Sequence, residues 1–162
     1  MTKKKIAAVI LLVVMLFALG ACGSSASRYE GIELDPEAMA AYMYENGSYE
    51  DELVRLNDEL IALNYAMGGV KTVVYAGSGA TAEEIIVIEA GTEKDVKGID
   101  SAIGDYIQKR IQYFDGYNAD ELPKLDNPLR MSAGRYVIYC VSCDTDGLKT
   151  QVTAYLDQLI KE

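Results

Sequence analysis

The chain of 162 residues has no histidine and no tryptophan, and only two phenylalanines and three prolines. Without histidine there can be no Ser-His-Asp triad, no Cys-His pair and no His-ligated zinc or haem. S-x-x-K, G-x-S-x-G and G-x-x-x-x-G-K-[ST] are also missing. Positive charge is scarce: 15 Lys+Arg stand against 25 Asp+Glu. Residues 1–21 carry three of those lysines and no acid, so the rest of the chain has a formal charge of -13 rather than -10. A surface this acidic repels a phosphate backbone, which argues against a nucleic-acid partner. The material left for catalysis is carboxylates, tyrosines, lysines and one C-x-x-C, and the sequence assigns no catalytic, cofactor-binding or metal-binding residue. At 50% hydrophobic residues, the chain can bury one core and is too short for two.

The N-terminus reads as an address. Lys3, Lys4 and Lys5 precede 14 unbroken apolar residues, 6–19. That run is short for a membrane span, which needs about 20 apolar residues, and fits a signal-peptide core. Leu19-Gly20-Ala21-Cys22 looks like a bacterial lipobox. The resemblance implies cleavage before Cys22 and diacylglyceryl transfer to its sulfur, so residues 1–21 would be a cleaved signal peptide. Two or three acyl chains hold a soluble domain firmly on a bilayer, at about 0.8 kcal/mol per buried methylene. Residues 22–34 read as the lipidated cysteine and a flexible tether, and 35–162 as a single α+β domain. The expected location is the extracytoplasmic face of the cell membrane, with membrane lipid as the partner of acylated Cys22.

In the body of the chain, Asp35-Pro36-Glu37 starts a helix, with Asp as N-cap and Pro in the first turn. Asn46-Gly47 stops it. Ser48-x-x-Asp51 predicts a second helix through Leu53, Leu56, Leu60 and Leu63, ended by Gly68-Gly69. Residues 70–75 read as a strand, Gly77-Ser78-Gly79 as a turn, and residues 84–89 as the strongest strand, central in its sheet and covered on both faces or nearly so. Thr92-x-x-Asp95 opens a long helix whose buried face is Val96, Ile99, Ile103, Ile107, Ile111 and Phe114. Residues 117–128 read as a polar loop, and 129–132 and 135–141 as strands. A last helix is capped at Asp144, with Leu148, Val152, Tyr155 and Leu159 facing the core. Two hairpins separated by a helix predict an α+β two-layer sandwich. Its antiparallel four-stranded sheet carries helices packed mainly on one face.

Four features invite a chemical reading. Cys140-Val141-Ser142-Cys143 lies where a strand passes into a helix, the setting of thioredoxin-type pairs. Asp144 and Asp146 disfavour a thiolate there. Packed thiols are the first reading, a structural disulfide the second and a redox pair the third. Asp144-Thr145-Asp146-Gly147 is a fragment of a calcium loop without its third acid or bidentate Glu, and reads as a helix cap. Glu83 and Glu84 resemble a glycosidase acid pair, but strand neighbours point to opposite faces, so they read as the solvated start of a strand. Tyr106, Tyr113 and Tyr117 offer a stacking surface for sugar; helix–sheet packing explains them as well.

The segments Ala80-Thr81-Ala82-Glu83-Glu84-Ile85-Ile86-Val87-Ile88, Arg110-Ile111-x-x-Phe114-x-x-Tyr117-x-x-x-Glu121-Leu122-x-Lys124-Leu125 and Gly134-Arg135-Tyr136-Val137 resemble a bacterial lipoprotein family, domain of unknown function 4358. The resemblance spans roughly residues 50–160. It implies a small Gram-positive lipoprotein with an acidic soluble domain and brings no activity or substrate. Tyr117 and an Arg110 pair with Asp120 or Glu121 would clamp the long connection after the helix. The expected role is a non-catalytic binding or structural module with a protein or cell-wall partner. An extracytoplasmic thiol-disulfide protein using Cys140 and Cys143, or an accessory of a transporter or wall-synthesis complex, are the alternatives.

Overall fold

The computed structural model describes residues 28–161. The apolar run, the lipobox-like motif and Cys22 lie outside them. The elements run in the order α1 (Pro36–Asn46), β1 (Val54–Arg55), α2 (Asp58–Asn64), β2 (Lys71–Ala76), β3 (Glu84–Glu89), α3 (Val96–Tyr117), a 3-10 turn (Ala119–Glu121), α4 (Leu122–Asp126), β4 (Leu129–Ala133), β5 (Tyr136–Val141) and α5 (Thr145–Leu159). The sheet is antiparallel throughout, in the order β1-β2-β3-β5-β4. Among the described residues, no helix is long and apolar enough to cross a membrane.

The α+β class holds, but the sheet has five strands, not four, and helices cover both of its faces, not one. Strand β3 explains the second correction. Ile85 and Val87 point to one face, Ile86 and Ile88 to the other, and all four are fully buried. An apolar run with no polar alternation needs cover on both sides. On one side Ile85, Val87 and Ile138 pack against Met39 and Met43 of α1 and Leu148, Val152 and Leu156 of α5. On the other, Ile86, Ile88 and Val137 pack against Ile99, Ile103 and Phe114 of α3, Ile61 of α2 and Leu125 of α4.

The fifth strand comes from the segment expected to begin the second helix. Ser48-x-x-Asp51 does not cap. The Asp51 carboxylate instead accepts from the Ser78 N–H and hydroxyl at 2.7 and 2.6 Å. The Glu50 and Asp51 N–H groups donate to Glu83. Val54 and Arg55 then pair with Ala76 and Tyr75, and Asn57 caps the shorter α2 by accepting from Leu60 N–H at 2.9 Å. Leu60 and Leu63 of the expected apolar stripe are exposed; Ile61 is the buried residue of α2.

The folded region also begins earlier than residue 35. Tyr29, Ile32 and Leu34 are buried in the core on the α1–α5 side, so the part of the expected tether from Arg28 onward packs on the domain. Its passage requires Gly134, which has φ +53° in the β4–β5 turn; a Cβ there would stand 3.0 Å from the Tyr29 carbonyl. The other helix starts follow the sequence signals. Asp35 caps α1 by accepting from Glu37 N–H and Asp144 caps α5 by accepting from Gly147 N–H; Asp95 precedes α3 without a side-chain cap bond, its carboxylate accepting instead from the Thr92 N–H and hydroxyl. Residues 117–128 are not a loop throughout: the 3-10 turn and α4 lie inside them.

Candidate functional site

The acids that open β3 are both buried, each 1% exposed, which corrects the reading of a solvated strand start. Alternation sends them to opposite sides of the sheet, where each organises its own polar cluster. Both clusters lie at the same end of the sheet, since Glu84 is in register with Val141, the last residue of β5.

Glu83 is held by five donors. Its Oε2 accepts from the N–H groups of Glu50 and Asp51 at 2.8 and 2.9 Å and from the Thr81 hydroxyl at 3.5 Å. Its Oε1 accepts from Lys124 Nζ at 3.1 Å and the Cys143 thiol at 2.9 Å. Lys124 also reaches Glu50 at 3.1 Å and Glu121 at 3.2 Å. One ammonium therefore faces three carboxylates. Burial alone would raise the Glu83 carboxyl, but the thiol, the N–H donors and Lys124 outweigh it and hold it below the ordinary range. Burial would likewise lower Lys124; its bonds to Glu83, Glu50 and Glu121 reverse the sign and keep it protonated above its usual value.

Glu121 and Lys124 come from the connection after α3. Glu121 accepts from Ala82 N–H at 2.8 Å, so these two residues clamp the connection to the start of β3. The expected clamp is different in its parts. Arg110 does not pair with Asp120 or Glu121, and Tyr117 is exposed, its ring resting near Tyr113 and Phe114.

Arg110 pairs instead with Glu84, Nε to Oε1 at 3.4 Å. The Tyr106 hydroxyl donates to the other oxygen at 2.7 Å. Tyr65 and Tyr139 flank Tyr106, with ring centroids 5.7 and 6.4 Å away. Burial pushes the Glu84 carboxyl up, and Arg110 and the tyrosine hydroxyls offset this only in part. The same enclosure raises the Tyr106 and Tyr139 hydroxyls. Of the three tyrosines grouped in the sequence, Tyr106 belongs to this cluster, whereas Tyr113 and Tyr117 lie on the surface.

The cysteines are separate free thiols, Cys140 buried and Cys143 exposed. Cys140 Sγ lies 3.4 Å from the Tyr49 hydroxyl. Burial lifts its pKa to about 12; burial and the bond to Glu83 lift that of Cys143 to about 11. Since the thiolate is the reactive form, iodoacetamide at pH 7–8 should modify Cys143 about a hundredfold more slowly in the folded chain than in urea. Folded-state alkylation at the urea rate, followed by mass spectrometry, would contradict the Glu83 contact.

The remaining sequence candidates are structural. Asp144 caps α5, and Gly77-Ser78-Gly79 turns β2 into β3 under the hold of Asp51. Among the described residues, no group of three Cys, Asp or Glu side chains is placed to hold a metal ion. The Glu83 carboxylate, occupied by donors on both oxygens, is poorly suited to take a proton from a substrate. The sequence points Tyr106 and Glu121 to other roles, and Lys124 to none, because their value lies in where they meet Glu83, Glu84 and the start of β3. The i, i+3 spacing of Glu121 and Lys124 was the available signal.

No curated protein and no solved structure matches the chain. A family model described as a domain of unknown function, DUF4358, matches residues 67–142. That segment, just under half of the chain, holds Glu83, Glu84, Tyr106, Arg110, Glu121, Lys124 and Tyr139, and over it the chain is similar to the DUF4358 family.

Proposed function

We propose that this chain is a lipoprotein held on the extracytoplasmic face of the cell membrane by acylated Cys22. Its folded domain acts as a non-catalytic binding or structural module toward a protein or cell-wall partner. The observation that carries the reading is Leu19-Gly20-Ala21-Cys22 directly after three lysines and the apolar run of residues 6–19. The chemistry of the domain supports the non-catalytic part. Glu83 is saturated with donors, Glu84 is paired with Arg110, and both thiols are held in the protonated form. The raised thiols also weigh against thiol-disulfide exchange at Cys140 and Cys143.

Cys22→Ala is expected to abolish incorporation of labelled fatty acid and to leave a full-length precursor on a gel. Labelling that persists in this variant would remove the anchor from the reading.

A further inference from the structure

Of the lysines in the folded domain, only Lys71 and Lys124 form ion pairs. Lys94, Lys97, Lys109, Lys149 and Lys161 are exposed and unpaired among the described residues. Lys94, Lys97 and Lys161 share one end of the molecule. The first two flank the start of α3, and Lys161 follows α5. Asp157 near the end of α5 is bound to Arg28, and Glu93 just before α3 accepts from Gly31 N–H, so one strap touches both. Two exposed apolar side chains lie at this end too: Ile160, next to Lys161, and Val70, beside Gly91 ahead of α3. Free ammoniums with aliphatic side chains between them suit a lipid surface, where the charge meets phosphate and the apolar tips enter the headgroup layer.

Two observations say what covers this face. The chain enters the folded domain here, at Arg28, a few residues after Cys22, so an anchored domain holds this end beside the headgroups. The second is charge. Asp157 pairs with Arg28, Asp35 with Lys71, and Glu33 and Glu89 with Arg135. Glu93 and Asp95 are bonded to Gly31 and Thr92. With the free lysines added, positive and negative charge nearly balance at this end. The strong negative charge of the chain lies away from it; Asp115, Asp120, Asp126, Asp144 and Asp146 follow α3 or precede β4 and α5 at the opposite end. An anionic surface favours each nearby lysine by about fivefold, and its field fades over about 10 Å. Standing on the strap end keeps the far acids a strand length outside that range; lying on its side would bring them in. The contact needs little strength of its own, because an anchor makes it intramolecular, at an effective concentration in the millimolar range.

We propose that the strap end, through Lys94, Lys97, Lys161, Val70 and Ile160, is a second membrane contact that takes anionic phospholipid headgroups. The inference rests on the proposed anchor, which brings the surface within reach, and adds the lipid class and the residues that meet it. The full chain, purified from membranes, is added to preformed vesicles of phosphatidylcholine alone or of three parts phosphatidylcholine to one part phosphatidylglycerol. Lysines are then acetylated with a membrane-impermeant succinimidyl ester and read by mass spectrometry.

Lys94, Lys97 and Lys161 should be acetylated at least about fivefold more slowly on the anionic vesicles than on the neutral ones. Lys109 and Lys149, equally free but elsewhere, should not change. Salt at about 1 M, which shortens the field to about 3 Å, should remove the difference. Lys94→Glu with Lys97→Glu should return Lys161 to its neutral-vesicle rate; both positions are exposed, and acids are favourable at a helix start, so the variant keeps its fold. Equal rates on the two vesicles, protection of Lys161 undiminished in the double variant, or protection shared by Lys109 and Lys149 overturns the proposal; the last marks a domain lying on its side. The anchor is judged separately. In Cys22→Ala the apolar run of residues 6–19 stays on the chain and holds it on the vesicle, so the lysine pattern should persist. Fatty-acid labelling that survives in that variant removes the acyl anchor and leaves the contact, and loss of the lysine pattern with labelling confined to Cys22 removes the contact and leaves the anchor.

Discussion

Arg110→Met is expected to destabilise the fold by about 3–5 kcal/mol at neutral pH, the usual cost of removing one partner of a buried ion pair. The carboxylate left behind is 1% exposed, and the donors left beside it are uncharged tyrosine hydroxyls, Tyr106 at 2.7 Å among them. The substitution also removes the guanidinium stacked 4.9 Å above the Phe114 ring, which adds a smaller loss. Most of the cost should return in the double variant Arg110→Met, Glu84→Gln, because an amide needs no counter-charge. The pH dependence has a definite sign. The folded carboxyl of Glu84 already lies above its ordinary value of 4.5, so the native state binds this proton more tightly than the unfolded chain does. The stability linked to that proton is full below about pH 4.5 and declines as pH rises through the folded value. Removing Arg110 raises the folded value further, so the deficit should shrink from pH 7 toward pH 5. Urea unfolding across that range measures it. A loss below about 1 kcal/mol, or a deficit that grows on acidification, contradicts the described pair.

Lys124→Met should be comparably costly, again about 3–5 kcal/mol, since it leaves Glu83 and Glu121 buried with no cation between them. The dependence on pH differs from that of Arg110. Glu83 is held below its ordinary 4.5, so its contribution is present above that value and is lost as pH falls through the folded one. Lys124 is held above its ordinary 10.5, so its contribution is present below that value and is lost as pH rises through the folded one. The gap between wild type and variant should therefore be widest between about pH 5 and 10 and should close at both ends. The exposed Lys149→Met is the control, expected within about 0.5 kcal/mol of wild type. A flat profile for Lys124→Met would mean that the cluster is solvated and not enclosed.

These two side chains also show where the sequence was readable and where it was not. The β-branched runs of β3 and β5, the helical spacing of Ile99, Ile103 and Ile107, and the caps at Asp35 and Asp144 are local signals, and the elements follow them. The second helix misled because Leu53, Leu56, Leu60 and Leu63 have helical spacing, while the groups that decide the segment are far away in the chain. Ser78 takes the side chain of Asp51, and Glu83 takes the N–H groups of residues 50 and 51. The one-sided layering came from the pattern of two hairpins around a helix; the apolar residue at every position from Ile85 to Ile88 pointed the other way, to cover on both faces, and that local signal is the one the fold follows. Glu83 and Glu84 look like any pair of surface acids until Lys124 and Arg110 are brought beside them by segments roughly 25 to 40 residues further on.

The strap of residues that precedes α1 fixes how the domain would stand on a bilayer. Arg28 and Tyr29 are bound to Asp157 near the end of α5, and Gly31 N–H donates to Glu93, so the strap docks at the end of the sheet where Glu89 meets Tyr136. With Cys22 acylated, as proposed, the leash from lipid to Arg28 reaches at most about 22 Å. That keeps the docked end of the sheet close to the headgroups. The Glu83–Glu84 end lies a full strand length away, about 17 Å higher. The end of the domain that carries the Glu83 and Glu84 clusters would then face outward from the membrane, out of reach of the lipid surface beneath it.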